Sequence, residues 1–470
     1  MKRKPRIFVL ILLVLAVGCA SAHAAVPRPT GTWSGTLSLS AGSDPVPVSI
    51  ELRGGRAVVA LGTGLPGRTE VAARATPGRL RLTLPGRPAP LALDVRARGA
   101  RLVGTIRQGT VRGTVELRRG RPLEAANAGL FSLGDGRFLA ALDVPGQRTA
   151  LLLDEGELHL LTPGRPGTYA VGSGLSTPSP SLGRARFSAG GATWLGARAE
   201  RVPLRQEAVR VGVLSCTLTI PPGTGRRTAV AFAHGGGPAL RTYVAFQAAH
   251  LQRLGVITLA CDKRGIGQSG GRYPGDLATT PTIDALARDV EAQARFLAAQ
   301  PEVDPARVGV MGGSQAGWIM PLAASREPAI RFVLGLVPPT VTQGETDLFA
   351  QLSGQGQSPP TRAEAQILAE VRAAGPSGFD PLPSIRALRI PALWLYGGVD
   401  KVVPTALCLE RLEPLAREPG RDFTFHVFPA GDHGLVQTAS GLLSEQARSD
   451  RFVPGLHTTI ADWLRARGLA

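Results

Sequence analysis

The sequence of 470 residues predicts an all-β amino-terminal part followed by an α/β domain, a doubly wound and mostly parallel sheet with a helical cap. Between residues 31 and 200, short apolar segments alternate with a period of two, which is typical of antiparallel sheets. After residue 201, apolar strands alternate with longer Ala-rich helical segments, as in parallel sheets. Because 43% of the residues are hydrophobic, the chain can bury cores in several domains.

Residues 1–24 are expected to be an export signal. Four basic residues within positions 2–6 precede an apolar run from Ile7 to Val17, which is too short to span a bilayer and has the length of a signal-peptide core. Ala22-His23-Ala24 fits a signal-peptidase site, and Cys19 stands in a context that resembles the lipid-modified cysteine of bacterial lipoproteins. We therefore expect an exported protein, periplasmic or secreted, that is either released or lipid-anchored at Cys19.

The formal net charge of +18 comes mainly from residues 27–124, which hold sixteen arginines and six acidic residues. These arginines occur singly in β-like sequence, without interleaved aromatic residues on which bases could stack. The pattern therefore does not predict a nucleic-acid partner. It favours a solvated basic face, with weak contact to an anionic envelope surface.

The β-rich part divides into two modules. The first, residues 27–121, has the strand spacing of a small barrel or sandwich. Its expected strands lie at 36–39, 46–52, 58–61, 80–84 and 111–117. Residues 122–200 show a second strand-and-turn pattern, which predicts a second β-rich module or a linker.

Residues 201–470 are predicted to form the α/β domain. Strands are expected at 211–220, 228–233, 256–261, 308–311, 332–336, 392–396 and 424–428, and helices at 284–299, 315–325, 362–374, 406–417 and 456–466. The insertion at about 338–389, between two of these strands, is expected to form the cap.

Ser314 is the candidate nucleophile. The strand at 308–311 runs into Gly312-Gly313-Ser314-Gln315-Ala316, and a helix is expected to follow. A serine in such a sharp turn needs small residues two positions before and after it, because the flanking chains pack closely; Gly312 and Ala316 meet that need. The turn also places the hydroxyl at a helix N-terminus, which favours developing negative charge.

A glycine loop supplies the second element. The strand at 228–233 ends in His234-Gly235-Gly236-Gly237, a sequence that can aim backbone N–H groups at a developing oxyanion. By position, the amides of Gly236 and Gln315 are the expected donors. His234 precedes Ser314 in the chain, so we expect it to hold the loop by hydrogen bonding rather than to act as the base.

Asp400 and His433 complete the constellation in the order Ser, Asp, His. Asp400 follows the apolar strand at 392–396, and His433 follows the strand at 424–428, so both side chains are expected at the carboxyl edge of the sheet. Asp432 lacks this strand-end setting and is the poorer candidate for the acid. The expected roles are nucleophile for Ser314, base for His433 and orienting carboxylate for Asp400.

With these motifs in order, residues 201–470 resemble the α/β-hydrolase superfamily. Cys261-Asp262-Lys263-Arg264-Gly265 opens a further loop that is similar to one in esterase-like and serine-aminopeptidase-like members, and the resemblance implies that Asp262 and Arg264 brace the oxyanion loop. Residues 31–37 and 104–109 are similar to barrel-like modules that precede the catalytic part of some exported bacterial hydrolases. Proline iminopeptidases have a similar loop but carry Trp where this chain has Gln315.

The implied chemistry is two-step acyl transfer through an acyl-enzyme on Ser314, with no metal or organic cofactor. The expected substrate is a small-molecule carboxylic ester of small or medium size. An aminopeptidase or other amidase is the alternative, for which Glu345 or Asp347 could bind a substrate amine. A thioesterase or acyltransferase, and a non-catalytic envelope-binding protein, remain as further alternatives.

The cysteines carry a separate expectation. Cys216, Cys261 and Cys408 lie in apolar contexts, and no Cys-x-x-Cys pair or zinc-like spacing is present. We expect buried free thiols, with one disulfide as the alternative.

Overall fold

The computed structural model describes residues 28–38, 46–61, 68–84, 90–99, 101–119, 128–134, 136–144, 147–163, 167–174, 180–275, 277–446 and 448–470. The predicted export signal at 1–24 and Cys19 lie outside these residues. Among the described residues, no helix combines the length and the apolar character needed to cross a membrane.

Two closed eight-stranded antiparallel barrels come first. The first barrel has strands β1 Gly31–Ser38, β2 Val46–Arg53, β3 Arg56–Leu61, β4 Arg68–Thr76, β5 Arg79–Leu84, β6 Leu91–Arg98, β7 Arg101–Gln108 and β8 Val111–Arg119. The second has strands β9 Gly129–Gly134, β10 Arg137–Val144, β11 Gln147–Leu152, β12 Glu157–Pro163, β13 Thr168–Val171, β14 Gly183–Ser188, β15 Gly191–Trp194 and β16 Ala197–Arg201. Period-two burial, as in β5, fills each barrel with alternate apolar side chains.

An eight-stranded sheet follows, with strands in the order β17-β18-β20-β19-β21-β22-β23-β24. These strands are β17 Arg205–Val211, β18 Leu214–Ile220, β19 Arg227–Ala233, β20 Ile257–Cys261, β21 Val303–Gly313, β22 Phe332–Leu336, β23 Ala392–Gly397 and β24 Phe423–Phe428. Strand β18 pairs antiparallel with both β17 and β20. The six strands from β20 onward in this order, including β19, pair in parallel. The strand expected at 211–220 corresponds to β18, which begins after the turn at residues 212–213 and forms a hairpin with β17, a strand that was not expected.

Helices cover both faces of this sheet. They are α1 Ala245–Arg253, α2 Thr280–Ala298, α3 Ala316–Arg326, α4 Gln343–Leu352, α5 Glu364–Ala374, α6 Leu382–Ala387, α7 Thr405–Ala416, α8 Leu443–Gln446 and α9 Leu456–Ala466. Helices α2 to α7 bury their apolar faces in one core, whereas α1 and α9 share the other core with side chains of the second barrel. The prediction of an α/β-hydrolase fold preceded by all-β modules is confirmed.

The expectation of free thiols is wrong at two positions, because Cys216 and Cys261 form a disulfide. The two cysteines face each other on the antiparallel pair β18 and β20, and their Cα atoms are 3.9 Å apart. Sequence spacing alone does not reveal such a pairing, since strand register decides it. Cys408 is a buried free cysteine.

The double variant Cys216→Ala/Cys261→Ala is expected to lose about 2–4 kcal/mol of unfolding free energy, because the bond closes a long loop in the unfolded chain. Urea unfolding with and without dithiothreitol measures the change. The reductant should destabilise the wild-type protein and the control Cys408→Ala, which keeps the disulfide. Equal stability of the wild-type protein and the double variant would contradict the prediction.

Candidate active site

The candidate residues meet at the carboxyl edge of the sheet. From β19 the chain crosses to β20 on one side and later to β21 on the other, so the strand order reverses beside β19. Open α/β sheets bind ligands at such a reversal. Because Ala233 pairs with Gly312 in parallel strands, the loop that begins at His234 lies beside the turn that carries Ser314.

Ser314 has the strained backbone expected of a nucleophile in a sharp turn, with φ of +54°. Small neighbours are required here: a Cβ added to Gly312 would lie 2.4 Å from the carbonyl oxygen of Ala233 and 2.6 Å from the Cβ of Ala316. The Ser314 N–H donates to the Leu336 carbonyl at 3.1 Å, and helix α3 begins two residues after the serine. The serine hydroxyl is thereby fixed at the helix N-terminus.

The structure brings Ser314, His433 and Asp400 into one hydrogen-bonded chain. His433 Nε2 is 3.0 Å from Ser314 Oγ, and His433 Nδ1 is 2.8 Å from Asp400 Oδ2. Asp400 is buried, and its Oδ1 accepts hydrogen bonds from the backbone N–H groups of Val402 and Val403 at 2.7 and 2.9 Å. This geometry can move a proton from the serine to the imidazole, as nucleophilic catalysis requires.

A second carboxylate, Asp432, lies next to the base in sequence. Its Oδ1 accepts from the N–H groups of Gly434 and Val436 at 2.7 and 3.0 Å, which shapes the histidine loop. Burial raises the pKa of Asp432 to about 7. Burial lowers the pKa of His433, but the charge and hydrogen bond of Asp400, with a contribution from Asp432, outweigh burial and leave that pKa above 6.5.

The rate at which a fluorophosphonate labels Ser314 should therefore rise with pH through a midpoint above 6.5, because His433 must be neutral to accept the proton. Asp432→Asn keeps an acceptor for the backbone N–H groups but removes the negative charge that Asp432 carries above its pKa of about 7, which favours protonated His433. We expect this variant to move the midpoint to lower pH. Labelling rates measured from pH 5 to 9 test this, and an unchanged midpoint would contradict it.

The His-Gly-Gly-Gly loop contacts the nucleophile closely. A Cβ added to Gly235 would lie 3.4 Å from the Cβ of Ser314, whereas one added to Gly236 would meet no atom within 4 Å. His234 is buried and its Nε2 donates to the Cys261 carbonyl at 2.6 Å. Burial lowers the pKa of His234 to about 4, so the ring is neutral and holds the loop to β20.

Lys263 is a residue of this site that sequence reasoning missed. Its side chain is buried, and Nζ donates to the carbonyl oxygens of Gly235 and Gly237 and to Gln315 Oε1 at 2.9, 3.2 and 3.1 Å. In a planar peptide the C=O of Gly235 and the N–H of Gly236 point in opposite directions. Because Lys263 holds the Gly235 carbonyl oxygen, the Gly236 N–H points away from Lys263. The sequence did contain a signal for Lys263: only four of the 53 basic residues are lysine, so a lysine in this loop is unusual for the chain.

Lys263→Met is expected to lower kcat for Ser314 chemistry about 10- to 100-fold with a smaller change in KM, because it loosens donors that act mainly in the transition state. Lys263→Gln, which keeps N–H donors without the charge, should recover part of that loss. The affinity for a boronic acid, which mimics the tetrahedral intermediate, should fall in parallel with kcat. A lower melting temperature with unchanged kcat would show a purely structural role.

Asp262 and Arg264 have different surroundings. Asp262 is buried and accepts from the Arg241 N–H at 2.8 Å and from the Gln268 N–H at 2.9 Å, so it ties the Asp262 loop to the segment after the glycine loop. Arg264 departs from the expected bracing role, because its guanidinium binds Asp289 on α2 at 2.8 Å. Lys263, between them, makes the direct contact with the oxyanion loop.

A cavity of about 100 Å³ opens beside Ser314 and His433. Its wall is mostly apolar, and the residues that line it come from the ends of β19, β21 and β22, the segment around α1, the histidine loop and α9. Within the part of the chain that the structure describes, no Asp or Glu lines the cavity. The expected cap at 338–389 contributes no lining residue; α4, α5 and α6 bury side chains such as Phe349, Val371 and Ile385 in the core with α3 and α7.

Neither proposed amine-binding carboxylate lines this cavity. Glu345 is buried in a capping box with Thr342 and contacts Arg411 at 3.2 Å. Asp347 accepts from Gln343 at 3.1 Å. These contacts hold Glu345 at the N-terminal end of α4 and Asp347 on the outer face of that helix.

Comparison with known proteins gives a match over the α/β domain. Residues 242–456 match the prolyl oligopeptidase family. The chain is 29% identical over 220 residues to an uncharacterized protein of Mycobacterium tuberculosis, found in strains CDC 1551 / Oshkosh and ATCC 25618 / H37Rv. This match covers 47% of the chain and 66% of the relative, slightly under two thirds of its length.

Solved structures align with a comparable part of this chain. An esterase of Pyrococcus furiosus aligns with a TM-score of 0.41 and 17% identity, over 56% of this chain and 91% of that one. Esterase 2 of Thermogutta terrifontis aligns with a TM-score of 0.37 and 15% identity, over 57% and 96%. The assignment of the fold rests on the strand order described above.

Proposed function

We propose that the α/β-hydrolase domain, residues 205–470, is a serine hydrolase that cleaves carboxylic esters of small to medium size. Ser314 attacks the ester carbonyl while His433 takes its proton, and Asp400 stabilises the imidazolium. The amides of Gly236 and Gln315 receive the oxyanion. Water then attacks the acyl-enzyme with His433 as base and releases the acid.

The observation that carries the ester proposal is the character of the cavity beside Ser314. The described residues that line it are mostly apolar and include no carboxylate that could pair with the amine of a peptide substrate. A small apolar acyl or alcohol group suits such a cavity, because burying it there is favourable without a charge partner.

A second candidate is peptide-bond cleavage, which the match to the prolyl oligopeptidase family favours. The same nucleophile, base and oxyanion donors serve amide and ester substrates. The two candidates differ in the leaving group that must be bound and protonated, so parallel assays separate them.

The test begins with a fluorophosphonate probe, which should label the wild-type protein and not Ser314→Ala. Turnover of p-nitrophenyl acetate and butyrate is then compared with that of aminoacyl p-nitroanilides. We expect the esters to be turned over with the higher kcat/KM. Higher kcat/KM for the anilides would favour the peptidase, and absence of labelling would support a non-catalytic binding protein.

We also propose that the protein is exported, with its basic first barrel toward an anionic envelope surface. The Cys216–Cys261 disulfide supports this proposal, because such bonds persist in oxidising compartments. Fractionation of expressing cells, with mass measurement of the mature amino terminus, distinguishes release after Ala24 from lipid attachment at Cys19.

A further inference from the structure

The cavity beside Ser314 has a polar part that the ester reaction does not use. His250 and Gln247 both line this cavity and lie three residues apart on α1, on one face of the helix. Among the described residues, neither His250 Nε2 nor Gln247 Oε1 has a hydrogen-bond partner, although both atoms are buried. Buried polar atoms are usually paired, so two unpaired atoms on neighbouring residues that line a substrate cavity point to a ligand group.

The hydrogen bonding of His250 settles which nitrogen carries its proton. The Arg253 Nε–H donates to His250 Nδ1 at 3.3 Å, so Nδ1 is the acceptor and Nε2 carries the hydrogen. Burial, together with the nearby His457 and Arg253, holds the pKa of His250 well below 6.5, and the ring is neutral. His250 therefore offers one N–H donor, and Gln247 offers one carbonyl acceptor.

The second barrel supports this arrangement. Asp154, in the turn after β11, forms an ion pair with Arg253 and accepts from the Phe138 N–H at 3.1 Å. The His250 ring stacks on His457 of α9, with ring centroids 4.6 Å apart. The barrel thus holds Arg253, and Arg253 fixes the tautomer of a residue in the cavity wall.

We propose that the cavity binds a hydroxyl group on the carbon chain of the ester, which accepts a hydrogen bond from His250 Nε2 and donates one to Gln247 Oε1. One hydroxyl satisfies both unpaired atoms, because it is donor and acceptor at once. The short chain between this hydroxyl and the ester carbonyl lies against the apolar wall. The inference rests on the proposed ester hydrolysis and names its substrate class, short hydroxylated esters.

The test compares matched substrates. For p-nitrophenyl 3-hydroxybutyrate and p-nitrophenyl butyrate, the wild-type kcat/KM ratio is expected to be about 10 or more in favour of the hydroxylated ester, because a site built to bond a hydroxyl discriminates against its absence. A second pair, 2-hydroxyethyl butyrate and propyl butyrate, tests the same preference for a hydroxyl on the alcohol side of the ester. A preference in either pair supports the proposal and identifies which side of the ester enters the cavity.

Variants separate the hydrogen bonds from the volume of the cavity. His250→Phe and Gln247→Leu should bring the preferred ratio close to 1, and Asp154→Asn should reduce it less, since it loosens Arg253 from a distance. Ser325→Ala, at an exposed position of α3 that does not line the cavity, should leave the ratio unchanged. Fluorophosphonate labelling shows whether each variant is folded and active at Ser314, and Asp154→Asn remains informative if His250→Phe does not fold.

A wild-type ratio near 1 in both pairs, with butyrate esters turned over, would overturn this inference and leave the proposed function standing. A ratio that survives both His250→Phe and Gln247→Leu would also overturn it. Absence of turnover of every ester would overturn the proposed function and this inference together.

Discussion

Ser314→Ala is expected to lower kcat for p-nitrophenyl butyrate by about 10⁴- to 10⁶-fold. The substitution removes only Oγ, the atom 3.0 Å from His433 Nε2, so the imidazole has no hydroxyl to deprotonate. The cavity wall and the glycine loop stay in place, and substrate should still bind. What activity remains would come from the oxyanion donors acting on attack by water.

Ser325→Ala is the matched control. Ser325 lies on α3, the helix that follows Ser314; it is exposed and donates to the Leu322 carbonyl at 2.9 Å. Its loss should change kcat less than twofold, because surface substitutions away from the site have small effects. If Ser314→Ala kept more than a tenth of the wild-type activity, another nucleophile would have to perform the reaction.

The candidate triad could be predicted from sequence because each of its residues follows a legible local pattern. Apolar strands lead directly into the turns that carry Ser314, Asp400 and His433, and parallel strands bring such turns to one edge of the sheet. The local pattern therefore predicts which strand precedes each of these residues and where that strand ends. The strand order β21-β22-β23-β24 then brings these turns together.

Features that depend on which surfaces meet could not be predicted in the same way. The apolar stripes of α4 and α5 show that these helices are buried, but not that they pack beside α3 instead of over the serine. Helix α1 was not expected at all, although it lines the cavity with His250. The pairing of Cys216 with Cys261 likewise follows from strand register, which spacing does not encode.

Asp400→Asn is expected to lower kcat about 10⁴-fold, through the orientation of its amide. In the wild-type protein the N–H groups of Val402 and Val403 donate to Oδ1, and only an oxygen can take that position. The amide NH₂ of asparagine must then occupy the position of Oδ2, 2.8 Å from His433 Nδ1. Because two donors cannot pair, Nδ1 becomes the acceptor and the ring proton moves to Nε2, which faces Ser314 and can no longer receive its proton.

Asp432→Asn makes the same chemical change one residue before His433. Asparagine can still accept there from the N–H groups of Gly434 and Val436, so the loop should hold and the loss at the optimal pH should be less than about tenfold. Steady-state kinetics on both variants, with fluorophosphonate labelling rates, measure the contrast. If the two losses were equal, both carboxylates would share the orientation of His433, and the double variant would then lose much more than either single one.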